Sequence, residues 1–167
     1  QLKEILSQRI MLLDGAMGTM IQRYKLEEKD FRGDRFTNHH QDLKGNNDLL
    51  YITRPDVILA IHNEYLEAGS DIIETNTFNS TAISQADYSM QAHVYEINKE
   101  AAKIAKQATT EWNIKTPDKP RFVAGALGPT TRSLSLSPDV NDPGFRSVYW
   151  DEMKAAYYEQ VSGLVDG

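Results

Sequence analysis

The chain alternates between short unbroken apolar runs and longer stretches in which apolar residues return every three or four positions. The first run, residues 10–13 (Ile10, Met11, Leu12, Leu13), leads straight into Asp14-Gly15-Ala16-Met17-Gly18-Thr19. A run this short and continuous predicts a strand covered on both faces, as in parallel sheets. Residues 71–74 (Asp71-Ile72-Ile73-Glu74) and 121–126 predict a second and a third strand. The second is followed by the polar string Thr75-Asn76-Thr77, the third by Leu127-Gly128-Pro129-Thr130.

Between the strands the period changes to that of a helix. After Pro55, whose missing N–H costs nothing in a first turn, Ile58, Ile61, Tyr65 and Ala68 form one apolar face, and Gly69 is placed to stop the helix. Val94, Ile97, Ala101, Ile104, Ala105 and Ala108 mark a second amphipathic helix; Met153, Ala156, Tyr157, Val161 and Leu164 mark a third. Gly167 resembles Gly69 in context and is expected to stop that last helix just before a fourth strand. The polar stretch 22–52 is too long for an ordinary connection. It is expected to be an ordered insertion at the functional end, with a short helix near residues 26–31.

Strands alternating with helices imply parallel β-α-β units with right-handed crossovers. An open doubly wound sheet and part of a (β/α) barrel both satisfy this pattern, and in both, ligands gather at the C-terminal strand ends. The chemistry is therefore expected at Asp14-Gly15, Glu74-Thr75-Asn76 and Gly128-Pro129-Thr130. A glycine-bearing turn leaves backbone N–H groups free to hold an anion, while a neighbouring carboxylate favours a cation. Together they suit an α-amino acid, its ammonium on Asp14 and its carboxylate on the N–H groups of Gly15 and Ala16. The alternative is a tight turn in which Asp14 only caps a backbone group. For Glu74, Thr75 and Asn76 the corresponding alternative is strand-end capping.

Other chemistry finds little support. Neither phosphate-binding glycine spacing occurs, and no G-x-S-x-G elbow supports a serine nucleophile. His39 and His40 are adjacent in a loop, His62 and His93 stand alone, and no metal-ligand spacing joins them. With 167 residues, one domain with a real core is expected. The net charge of −6 disfavours nucleic acid and anionic membranes as main partners, and no apolar run is long enough to span a bilayer. The absence of cysteine rules out disulfides and favours a cytoplasmic setting.

Six stretches carry a resemblance. LLDGAMGTMIQ, DFRGDRF, DLKGNNDLL, AGSDIIETNTFNST, VAGALGPTTR and SPDVNDPGFR, in this order, resemble the N-terminal homocysteine-binding module of cobalamin-dependent methionine synthases. The resemblance covers nearly the whole chain. Betaine-dependent homocysteine methyltransferases share the first Asp-Gly strand end, and an S-methylmethionine-dependent relative is a further alternative; the two insertion motifs favour the cobalamin-dependent kind.

The resemblance implies an eight-stranded (β/α) barrel, of which residues 1–167 supply the first three β/α units. It implies that Asp14, Gly15 and Thr75 meet the amino-acid end of homocysteine, with Ala16, Glu74 and Asn76 beside them. In that family a fourth-strand glutamate also helps to hold the ammonium, and three cysteine thiolates hold zinc. The zinc keeps the homocysteine sulfur as a thiolate that attacks a methyl group on cobalamin. This chain has no cysteine, so no zinc, cobalamin or catalytic residue is expected in it, and no methyl transfer from it alone. Its expected partners are homocysteine, the folate-, cobalamin- and activation-domains of a parent enzyme, and further copies of itself. Two other readings are a folded piece that binds nothing and an unrelated barrel enzyme using Asp14 as a metal ligand.

Overall fold

The computed structural model describes residues 1–167. Helix α1 (Leu2–Gln8) buries no residue, and residues 9–14 then run beside the start of the second predicted strand. Three short helices follow: α2 (Met17–Arg23), α3 (Glu28–Arg32) and, after a 3-10 turn at Asn47–Leu49, α4 (Leu50–Thr53). Next come α5 (Pro55–Ala68), strand β1 (Ile72–Glu74), α6 (Ala82–Gln85), α7 (Val94–Lys115), strand β2 (Phe122–Ala124) and α8 (Trp150–Asp166). The result is a mixed α/β fold with a small parallel sheet, in which Ile72, Ile73 and Glu74 lie opposite Phe122, Val123 and Ala124. No helix is long and apolar enough to cross a membrane.

The first predicted strand differs from expectation. Residues 10–13 form one isolated parallel bridge, Leu13 to Ile72, rather than a full strand. The Asp71 and Ile72 N–H groups donate to the Leu12 carbonyl at 2.8 and 3.1 Å, and Asp14 N–H donates to the Ile72 carbonyl at 3.0 Å. On the other side nothing pairs with the segment, and no helix covers it. Ile10 is 85% exposed and Leu12 and Leu13 are about half exposed, so the expected cover on both faces is not there. What fixes the segment is Arg9, whose guanidinium grips the Asp71 carboxylate at 2.7 and 2.8 Å. That bond holds the Asp71 carboxyl down at about 2.

The main core lies between α5, α7 and the 22–52 insertion. Leu26, Phe31, Phe36, Leu43, Leu49, Leu50 and Tyr51 pack there against Val57, Ile58, Ile61 and Ile97. The expected short helix is present as α3, and the insertion is as much core as rim. Pro55 opens α5, and Gly69 ends it at φ 111°, a left-handed conformation that suits glycine. The buried side of α5 is rotated from the expected one: Val57, Ile58, Ile61, His62 and Leu66 are inside, while Ala68 is exposed.

Helix α8 also differs. Its buried residues are Ala156, Gln160 and Gly163, and Gly163 sets the close approach to α7. Of the expected apolar face only Ala156 is buried, and Val161 is 39% exposed. A Cβ at Gly163 would fall 2.6 Å from the Tyr95 carbonyl oxygen. Close helix approach therefore selected the small side of α8, leaving Leu164 to rest on Gly125 of the strand end.

Candidate functional site

The six residues expected at the amino-acid end of the substrate line one cavity of about 250 Å³: Asp14, Gly15, Ala16, Glu74, Thr75 and Asn76, joined by Phe78 and Ala126. The parallel register explains why. It places residue 14 beside residue 74 and residue 74 beside residue 124, so the loops leaving each strand meet at one end.

Asp14 is half-buried, and Glu74 N–H donates to its Oδ1 at 3.0 Å. Burial pushes the carboxyl up to about 6, the Glu74 charge adds to the rise, and the Glu74 N–H opposes it. Its second oxygen receives no bond from another residue. The N–H groups of Gly15 and Ala16 find no acceptor within the protein. A Cβ at Gly15 would meet no atom within 4 Å, so neither packing nor backbone conformation demands glycine there. What glycine does provide is open access to the backbone from the cavity.

Thr75 is 3% exposed and tied into the sheet end. Its N–H donates to the Ala124 carbonyl at 2.9 Å. Ala126 N–H donates to its hydroxyl at 2.9 Å, the hydroxyl donates to Thr77 Oγ1 at 2.7 Å, and Thr77 donates to the Ala126 carbonyl at 2.8 Å. This order of donors follows from each hydroxyl having a single proton. Asn76 N–H donates to the Tyr51 hydroxyl at 2.7 Å, and its amide donates to the Asn47 carbonyl at 2.8 Å. Glu74 stays exposed at the rim.

The Gly128-Pro129-Thr130 turn stands outside this cavity. A Cβ on Gly128 would collide with the Phe78 carbonyl and ring, and the Gly128 carbonyl accepts from the Tyr157 hydroxyl at 2.7 Å. The glycine thus serves close packing. His39 bonds the Tyr88 carbonyl, His93 lies beside Glu96 and His62 is buried. No group of three or more His, Cys, Asp or Glu side chains comes together, so the residues of this chain do not fit a zinc ligand set.

Sequence reasoning missed Tyr51, Asn47 and Asp48, which the insertion carries to the strand ends. Asp48 lines a second, polar cavity of about 270 Å³ that shares Asn76 and Phe78 with the first. It is 4% exposed and accepts from Asn79 N–H at 2.7 Å and the Ser80 hydroxyl at 2.8 Å, while burial pushes its carboxyl up to about 6. The run Asn46-Asn47-Asp48, three polar residues directly before the apolar Leu49-Leu50-Tyr51, is the signal that could have flagged it.

Three solved structures of the homocysteine methyltransferase MmuM from Escherichia coli match this chain in fold. The metallated form matches with a TM-score of 0.70 at 19% identity, covering 99% of this chain and 53% of that one. The oxidised form matches at 0.70 and 20%, covering 99% and 52%, and the apo form at 0.61 and 18%, covering 96% and 47%. The chain spans about half the length of these proteins, and at such identities the likeness establishes the fold alone. The family model for homocysteine S-methyltransferase matches residues 11–167, a span that includes every residue of the cavity. On that match the chain belongs to the homocysteine S-methyltransferase family.

Proposed function

We propose that this chain holds the amino-acid end of homocysteine and forms the first three β/α units of a methyltransferase barrel. The observation that carries this reading is the meeting, in one cavity, of the Asp14 carboxylate with the unused N–H groups of Gly15 and Ala16. The carboxylate complements an ammonium, and the N–H pair complements a carboxylate, the two charged groups of an α-amino acid. Glu74 and Asn76 stand at the rim and favour the cationic end.

The sulfur end of the substrate finds no thiolate or metal ligand set among these residues. Sulfur activation and the methyl donor belong, in this reading, to parts of the enzyme outside residues 1–167, and methyl transfer by the chain alone is not expected. The motifs at residues 30–36 and 42–50 support a cobalamin-dependent methionine synthase as the parent. The uncovered sheet face supports self-association of the isolated chain.

Calorimetric titration with L-homocysteine, with Asp14→Asn as control, tests the binding role. Saturable binding is expected, with Asp14→Asn weaker by about tenfold or more. Because the ammonium needs Asp14 ionised, wild-type affinity should fall as the pH drops below about 6, and the Asn variant should lack that dependence. A second reading draws on the 3.0 Å bond from Glu74 N–H, which lets Asp14 serve only as a cap. No heat from the wild-type chain, or equal affinity in Asp14→Asn, would favour that reading over ours.

A further inference from the structure

Behind the cavity lies a buried pair that the proposed binding roles do not use. Tyr51 and His62, from α4 and α5, are 2% and 0% exposed. The Tyr51 hydroxyl oxygen lies 2.7 Å from the Asn76 nitrogen and 3.2 Å from His62 Nε2. A backbone N–H can only donate, so Tyr51 accepts from Asn76. The phenolic proton then has one acceptor in reach, His62 Nε2, and that pairing puts the ring's own proton on Nδ1; the opposite tautomer would leave the buried phenolic proton with no acceptor. Burial pushes the imidazole down to about 4, so the ring stays neutral across ordinary pH. His62 Nδ1 has no partner at all. An orphaned N–H in the interior is costly, and an apolar side chain at position 62 would avoid it. What the pair provides in return is a fixed direction for the Asn76 N–H.

That direction has a consequence at the neighbouring carbonyl. Every peptide bond is trans, so the Thr75 carbonyl points opposite to the Asn76 N–H, away from Tyr51. Thr75 has already used its N–H on Ala124 and its hydroxyl on Ala126 and Thr77. No backbone N–H reaches its carbonyl, and the residue lines the cavity beside Asp14. We propose that Tyr51 and His62 are positioning residues which lock the Thr75–Asn76 peptide so that the Thr75 carbonyl joins the Asp14 carboxylate as an acceptor for a primary ammonium group. This inference rests on the reading that the cavity binds the polar end of an amino acid.

Two measurements on the full 167-residue chain test it. The first is the ¹⁵N spectrum of the His62 ring, where the neutral Nδ1–H tautomer is expected from pH 5.5 to pH 8, on the order of the range over which an unperturbed histidine would titrate. An Nε2–H ring, or titration within that range, would overturn the proposal whatever the ligand data show. The second is affinity for L-homocysteine against 4-mercaptobutanoate, the same molecule without its ammonium. Tyr51→Phe should weaken homocysteine by about tenfold and leave 4-mercaptobutanoate unchanged, since only the ammonium uses the positioned carbonyl. His62→Leu should weaken homocysteine likewise, and His62→Gln, whose amide oxygen can accept the phenolic proton, should restore much of it. Ala108→Gly, a destabilising helix change in the separate cluster of Leu66, Ile73, Ala105 and Ala108, controls for lost stability and should alter neither ligand. Equal weakening of both ligands by Tyr51→Phe overturns the proposal as mere structural damage. Unchanged homocysteine affinity in Tyr51→Phe overturns it while leaving the binding reading intact. Wild type that binds no homocysteine removes both.

Discussion

Asp14 and Asp48 stand on either side of Asn76, and burial is the first reason that both carboxyls titrate near pH 6. Asp48 is the more enclosed, and no cation pairs with it. A carboxyl whose folded pKa lies above its unfolded value binds its proton more tightly when folded. Its ionisation therefore costs stability, which falls as pH rises from about 4 to about 6 and then levels. Asp48→Asn keeps an oxygen for Asn79 N–H and Ser80 while removing the charge. The variant is expected to be more stable than wild type at pH 7.5 by about 1–3 kcal/mol, and nearly equal to it at pH 4. Urea denaturation at the two pH values measures this, and a variant less stable at pH 7.5 would show that the charge is compensated. Asp71 behaves in the opposite sense: with Arg9 holding it near 2, its contribution is present above about pH 4 and is lost as pH falls towards 2.

At the level of elements, the packing of α8 on α7 turns on one glycine. Ordinary helix propensity favours alanine over glycine by about 1 kcal/mol at an interior position. Gly163 is an exception because its missing Cβ lets α8 approach the Tyr95 carbonyl and Asn98. That approach also brings Gln160 within 2.7 Å of the Thr77 carbonyl, while Asn98 donates to the Ser80 carbonyl at 2.8 Å. The two helices thus clamp the loop that follows β1. Gly163→Ala is expected to destabilise the chain by about 1–3 kcal/mol, since overpacking outweighs propensity where backbone blocks the new methyl. Thermal or urea melts decide this; a gain in stability would mean that the helices sit further apart. The 22–52 insertion shows the same logic from the other side. Glu28 accepts the N–H groups of Leu43 and Lys44, folding the segment back on itself so that Leu43 becomes fully buried.

The whole molecule presents an unfinished sheet. The outer edge of residues 10–13 and that of β2 are both unpaired, and the apolar groove between β2 and α8 is lined by Val123, Leu127, Val161, Leu164 and Val165. Ile10, Leu127 and Val165 are 85%, 51% and 77% exposed. Open edges beside exposed apolar surface favour pairing with another chain. Light scattering coupled to size exclusion is expected to find the isolated chain associated at micromolar concentration. Raising the salt should increase association, because the net charge of −6 repels copies from one another. A monomer at every concentration and ionic strength would disprove the expectation.

Periodicity and punctuation by themselves determined the helices at Pro55–Ala68, Val94–Lys115 and Trp150–Asp166, the strands centred on Ile73 and Val123, and the end of the sheet where Asp14, Glu74 and Asn76 collect. These are local properties: a Pro at the first turn, a Gly that accepts positive φ, an apolar run too short for a helix. Helix faces were less legible, because the side that is buried depends on the neighbour. Gly163 faces inward and Val161 outward for the sake of helix approach, which no hydrophobic count expresses. Residues 10–13 have the composition of a buried strand, yet burial needs a partner on each side, and the tertiary structure supplies one on one side alone. Tyr51 and His62 were invisible as a pair. The phenol hydroxyl, the imidazole nitrogen and the Asn76 N–H belong to α4, α5 and the loop after β1, and only the folded packing of the insertion against α5 and that loop brings them within hydrogen-bonding distance.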